Sequence, residues 1–344
     1  MSLFPVTAFE QRSVELSTSQ PLLTIVVDTE EEFDWSAPFS RDQRSVSNAK
    51  EQRVAHEIYD AHGVRPGYVL DQAILESSEA VEFFLALEAQ GKADLGVHLH
   101  PWLTPPYDEE VNAYNSFHGN LDPALEQAKI DTITQLFIDK IGRQPLFFKA
   151  GRYGLGQNSL QYLKNAGYQI DCSVVPKGTF RHTLGPDFRA MPHQPFWIDD
   201  AKTFLELPLS RNIVGGLSPI INHYCLAASA FFDNPLFARL RVPGVLAKLG
   251  LLERITLSPE GNAIEDLKKL LRVSVERGDR VFNMAYHSSS CLPGGAPYVS
   301  DSGDLKQFLA VIKELLRYFT QDLGGRMVGV HELYALAKKQ QTLT

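Results

Sequence analysis

The stretch from Leu22 to Asp28 reads LLTIVVD, six apolar or β-branched residues ending in one carboxylate, with Thr29-Glu30 directly after it. So short a run, this rich in β-branching, predicts a strand buried on both faces, as in parallel sheets. Outward from it the same unit recurs. Asn48 to His62 reads as a helix, Gly67 to Asp71 (GYVLD) as a strand, Glu76 to Gln90 as an amphipathic helix and Ala93 to His98 (ADLGVH) as a third strand. Asp122-Pro123 opens a long helix to Ile141, a capping residue followed by proline in the first turn. Leu146 to Lys149, a helix from about Gln157, and Gln169 to Ser173 repeat the pattern. Further on come Phe204 to Pro208, a helix over Ile264 to Arg277, the strand Arg280 to His287 (RVFNMAYH), a helix over Asp304 to Thr320 and a last strand at Arg326 to Val330. This alternation predicts an α/β fold, a β/α barrel with an open doubly wound sheet as the rival; both gather chemistry at the carboxyl ends of strands.

Two regions depart from the pattern. Lys177 to Asp200 is rich in Pro, His, Phe and Gly and reads as loops. Ser218 to Leu252 is apolar and helical, interrupted by Pro235 and Pro243. No hydrophilic linker brackets it, so it reads as a helical insertion, about residues 211–253, within one domain spanning 1–344. The net charge of -8 leaves no basic stripe for a nucleic-acid partner. Cys172, Cys225 and Cys291 form no CxxC pair, which excludes a zinc ribbon and favours reduced thiols. Met1 to Gln20 lacks the basic start and apolar run of a secretion signal, and no stretch approaches the roughly 18 apolar residues of a membrane span. These features predict a cytoplasmic protein without a membrane partner, and they are compatible with a homo-oligomer.

Polar groups sit where the strands end. Asp28 and Glu30, two apart, can face one cavity, an arrangement that is costly without a cation or proton between them. Glu31, Glu32 and Asp34 read as a solvated loop. His98 and His100 follow the third strand, and neutral imidazoles in this pairing suit zinc, iron, cobalt or nickel. Trp102 lies close by, as a sugar platform or a core residue. Lys149-Ala150-Gly151-Arg152-Tyr153-Gly154 after the fourth strand offers a cation for a nearby carboxylate and glycines for close ligand approach. Asp171 ends the fifth strand, and His287 ends Arg280 to Tyr286.

In their order along the chain these residues resemble the motifs of the polysaccharide deacetylase (NodB-homology) superfamily, in particular its divergent WalW-like branch, from about Leu22 to His331. The resemblance implies a distorted (β/α)7-type barrel and a divalent ion, Zn²⁺ first with Co²⁺, Ni²⁺ or Fe²⁺ as alternatives, held by Glu30, His98 and His100. It further implies Asp28 as general base, His287 as the acid tuned by Asp171, and an N- or O-acetylated carbohydrate as substrate. The arginine that such enzymes set against the base falls on Lys149, with Arg152 as the alternative carrier, and a lysine lacks the guanidinium fork. Trp102, Tyr153 and Gly154 would touch substrate, and a backbone N–H near Tyr153 would meet the oxyanion. His118 could replace one of the closely spaced histidines. The competing readings are a metal-independent, allantoinase-like C–N hydrolase on the same fold, an amidohydrolase, in which the histidine pair closes the first strand, and a barrel that binds carbohydrate without catalysis.

Overall fold

In the computed structural model, which describes residues 12–341 except 15, 17 and 222–224, the LLTIVVD run forms β1 (Leu22–Thr29), buried along its whole length. It is followed by β2 (Gly67–Leu70), β3 (Asp94–Leu99), β4 (Phe147–Ala150), β5 (Ile170–Asp171), β6 (Phe196–Trp197), β7 (Leu205–Glu206), β8 (Arg211–Val214), β9 (Glu253–Thr256), β10 (Val281–His287) and β11 (Arg326–Met327). The main sheet runs β10-β1-β2-β3-β4-β5-β7-β6, with β11 beside the start of β1. Its pairings are parallel except the short β6–β7 pair. Most of Met1 to Gln20, and with it the reading of that segment as no secretion signal, lies outside the described residues.

The sheet curls into a distorted barrel. Where β7 and β10 do not pair, two irregular residues stitch the seam. Ser210 N–H donates to Asn283 O (3.0 Å), Leu257 N–H to Ser210 O (2.7 Å) and Ala285 N–H to Leu257 O (3.2 Å). An open doubly wound sheet has no such seam.

The period-2 alternation of strands sorts the side chains. Leu23, Ile25, Val27, Tyr68, Leu95, Val97, Phe148, Phe282 and Met284 face outward and pack under the crossover helices. Leu22, Val26, Val69, Phe147, Ile170, Cys172, Leu207 and Val281 fill the barrel interior, with Val330 and Leu333 of the last helix against its amino-terminal end. Asp28, His98, Lys149 and His287 continue the inward parity at the opposite, carboxyl-terminal end. The long helix Pro123–Ile141 starts and stops as its ends dictate: Asp122 accepts from Ala124 N–H, and Gly142 takes φ 83° at its close.

Two expectations need correction. The loop region contains a strand, β6, which adds antiparallel to β7. The last strand is only Arg326–Met327, because Val330 already begins the helix Val330–Gln341. Pro235 and Pro243 interrupt the helical stretch as the sequence predicts, each sitting in the first turn of a new helix, Pro235–Arg239 and Val242–Lys248, where the missing N–H costs nothing. The helical excursion springs from the antiparallel β8–β9 pair. Among the described residues no helix is long and apolar enough to cross a membrane. Cys172 and Cys291 are buried free thiols, and the Cys225 side chain lies outside the described residues.

Candidate active site

Register brings the strand-end groups together. Asp28 is level with His287 across the β1–β10 pair, and His98 with Lys149 across β3–β4. Glu30 Oε2 lies 3.2 Å from His98 Nε2 and 3.3 Å from His100 Nε2. All three side chains are almost fully buried. Each imidazole is oriented by its other nitrogen. His98 Nδ1 lies 3.0 Å from Lys149 O, which can only accept, so Nδ1 carries a proton and Nε2 faces Glu30. His100 Nδ1 lies 2.7 Å from Glu31 Oε2, which holds its proton and turns Nε2 toward Glu30.

Donor chemistry and geometry both fit a divalent cation. Two imidazole nitrogens and a carboxylate oxygen are a familiar zinc set, and ligands at about 2.1 Å in a tetrahedron stand about 3.4 Å apart. The ligand atoms of Glu30, His98 and His100 all fall within 4.8 Å of one another. Glu30 Oε1 is buried with no hydrogen-bond partner, an uncompensated acceptor on the same carboxylate. The pocket also recruits positive charge. Burial disfavours the Glu30 carboxylate, yet the His287 charge and the bonds with His100 and His98 hold its pKa far below the usual range. Burial likewise disfavours the His100 imidazolium, and Glu31 with Glu30 outweighs it, so that pKa is raised.

Beside this cluster stands a second one. Lys149 Nζ donates to Asp28 Oδ1 at 2.5 Å, both buried. His287 Nε2 lies 3.8 Å from Asp28 Oδ2, and its side chain keeps 23% exposure, enough to meet a substrate. His287 Nδ1 is held by Glu260 Oε2 at 2.9 Å, while the His287 N–H and the Ser290 hydroxyl donate to Glu260 Oε1. Burial would lower the His287 pKa, but Glu260 foremost, with Glu30 and Asp28, pushes it up to about 10.

Several side chains do not sit where expected. Asp171 is on the outward parity of β5, turned away from the cavity that its neighbour Cys172 faces. It accepts from the Ser173 hydroxyl at 2.7 Å and lies against Glu206, and burial raises the pKa of both carboxyls. The partner of His287 is Glu260, not Asp171. Arg152 does not reach Asp28; its guanidinium stacks on Phe117 (4.0 Å) and Phe39 (5.0 Å) and bonds to Ser116, so Lys149 alone pairs with the carboxylate. Trp102 is 3% exposed, stacks on His100 at 4.3 Å and donates to Glu31 Oε1 at 2.9 Å; it props His100, and the aromatic open to the cleft is Trp35, edge-on to His287 at 5.1 Å. Gly154 serves packing: its carbonyl accepts from Gly119 N–H, and a Cβ there would stand 3.0 Å from Phe117 Cα. His118 pairs with Glu126 at 3.1 Å, outside the cluster. Tyr153 does line the cleft, stacked on Phe180 at 5.4 Å.

Two site residues were hidden in the sequence. Glu31 reads as part of a solvated acidic run but is fully buried, its N–H donating to Asp71 Oδ2 at 3.0 Å. It lies just past the end of β1, where strand alternation no longer predicts direction. Glu260 sits in the turn Ser258–Asn262, and no periodic signal marks it. The cleft over both clusters has a volume of about 410 Å³, its walls including Phe33, Trp35, Tyr153, Phe180 and His182.

The fold is a distorted β/α barrel of the kind found in solved structures of deacetylases and of an allantoinase. Among solved structures, the chain is similar to a candidate polysaccharide deacetylase from Mycobacterium smegmatis, with TM-score 0.53 and 12% identity over 96% of this chain and 94% of that one. It is equally similar to the PuuE allantoinase, with TM-score 0.53 and 11% identity over 94% and 92%. A candidate glycoside hydrolase/deacetylase from Parabacteroides distasonis gives TM-score 0.55 and 10% identity over 95% and 73%. No family profile and no curated relative matches the sequence.

Proposed function

We propose that the protein is a metal-dependent hydrolase that removes an N- or O-linked acetyl group from a carbohydrate. One observation carries this reading: Asp28 stands between Lys149 and His287, beside the Glu30–His98–His100 donor set. A divalent cation held there, with Zn²⁺ favoured by the donors, supplies Lewis acidity to an acyl carbonyl and acidifies water. Lys149 fixes Asp28 in place through their ion pair. Asp28 takes a proton from the attacking water as the C–O bond to the acyl carbon forms. His287, held protonated by Glu260, donates to the leaving nitrogen or oxygen as its bond to that carbon breaks. The products are acetate and the free amine or alcohol. Trp35 and Tyr153 offer rings to the substrate at the cleft.

A second reading is a metal-independent, allantoinase-like C–N hydrolase, whose fold an allantoinase structure shares. The unpartnered Glu30 Oε1 weighs against it. Asp28→Asn tests the proposal: turnover of acetylated sugars should fall by at least about a thousandfold while cation content stays near that of the parent. Full activity in Asp28→Asn, or in chelated wild type, would overturn it.

A further inference from the structure

We propose that the helical insertion is a docking surface for an anionic lipid bilayer, which the chain would bind at its interface without spanning. Six of the eleven large hydrophobic side chains exposed among the described residues lie on this one segment, so the exposure is concentrated rather than scattered. They are Leu217, Ile220, Leu236, Leu240, Val245 and Leu249, at 39–66% exposure. The short helices have already spent their other faces: Phe231, Phe232 and Leu246 pack inward on Ile213, Ala228 and Leu252, and the Phe237 ring lies 5.0 Å from Phe231. Leu236 and Leu240, and Val245 and Leu249, are four apart, one above the other on their own helical turns.

Charge selects the occupant. Between Gly215 and Leu252 the charged residues are Asp233, Arg239, Arg241 and Lys248. Asp233 is engaged by Arg254 at 2.7 Å, whereas the three cations are exposed and no carboxylate among the described residues pairs with them. A cationic, apolar surface on a chain of net charge -8 suits acidic headgroups with acyl chains beneath. A second copy fits less well, because a two-fold contact would bring two copies of this cationic face together. The lack of a spanning helix does not oppose this, since interfacial docking needs none. The inference is independent of the reaction assigned to the cleft.

The test is cosedimentation of the full chain with vesicles of phosphatidylglycerol and phosphatidylcholine, against phosphatidylcholine alone. Binding should require phosphatidylglycerol and weaken with salt. The triple change Arg239→Glu, Arg241→Glu and Lys248→Glu should weaken it by about a hundredfold or more, at roughly fivefold per cation removed. Leu236→Asp with Leu240→Asp should abolish it while the circular dichroism spectrum stays that of the parent. Failure to bind, or binding indifferent to both variants, overturns the proposal. So does sedimentation equilibrium showing a dimer that Leu236→Asp with Leu240→Asp dissociates, since a second copy would then cover the face.

Discussion

Lys149 is buried against Asp28 at 2.5 Å, and each charge depends on the other. Burial alone would lower its pKa, but Asp28 and Tyr153 outweigh that and hold the ammonium charged. Removing one partner of such a pair leaves the other uncompensated, at about 3–5 kcal/mol. Lys149→Met should therefore lose stability of that order in urea titration as well as activity. A loss below about 1 kcal/mol would show that Asp28 finds another partner. Glu31 acts through His100, whose Nδ1 proton it holds. Glu31→Gln should weaken cation affinity by about 10–100-fold, read by competition with a chromophoric chelator; unchanged affinity would reduce Glu31 to packing. Glu260 acts through His287. Glu260→Gln should move the alkaline limb of the pH–rate profile down by about 1–3 units, because the acid then loses its proton earlier. An unmoved limb would assign that limb to another group.

At the scale of elements, strand parity made much of the site legible. The apolar run of β1 placed Asp28 and Glu30, and the position of His98 and His100 at the end of β3 placed the imidazoles. On β5 the same parity turns Asp171 away from the cavity that Cys172 faces, so a carboxylate at a strand end is not by itself a site residue. Loops carry no such rule, so Glu31 and Glu260 escaped, as did β6 within an apparently irregular stretch. Gly151 shows what the β4 turn requires: a Cβ there would stand 2.2 Å from His100 Cδ2. Arg152 and Tyr153 after it take φ 54° and 58°, at about 1–3 kcal/mol each, so the turn is held by its surroundings. Gly151→Ala should displace His100 and lower cation affinity by more than tenfold, about 1.4 kcal/mol. Calorimetric titration showing parent-like affinity would mean that the imidazole can yield.

For the whole molecule, the barrel acts as a frame that points charges inward at one end, and its stability should follow them. His287 has its pKa raised from 6.5 to about 10, so its contribution is complete below about pH 6.5 and disappears as pH rises through about 10. Glu30, with its pKa lowered from 4.5, contributes above that value and loses the contribution in acid. Together they predict highest stability between about pH 4.5 and 6.5, with an alkaline decline that Glu260→Gln makes smaller and ends at lower pH, checked by thermal melts across pH. A symmetric loss on both sides would contradict this assignment. Strand and helix alternation made the barrel legible. The Ser210–Leu257 seam was not, because it depends on backbone partners brought together only by the closed fold.

The most direct test is anomalous X-ray scattering from crystals grown with Zn²⁺, paired with elemental analysis of the same preparation. A single peak within bonding distance of Glu30, His98 and His100, lost together with the bound zinc in His98→Ala, is the predicted result. A zinc-free cleft in a preparation that still hydrolyses acetylated sugar would contradict it.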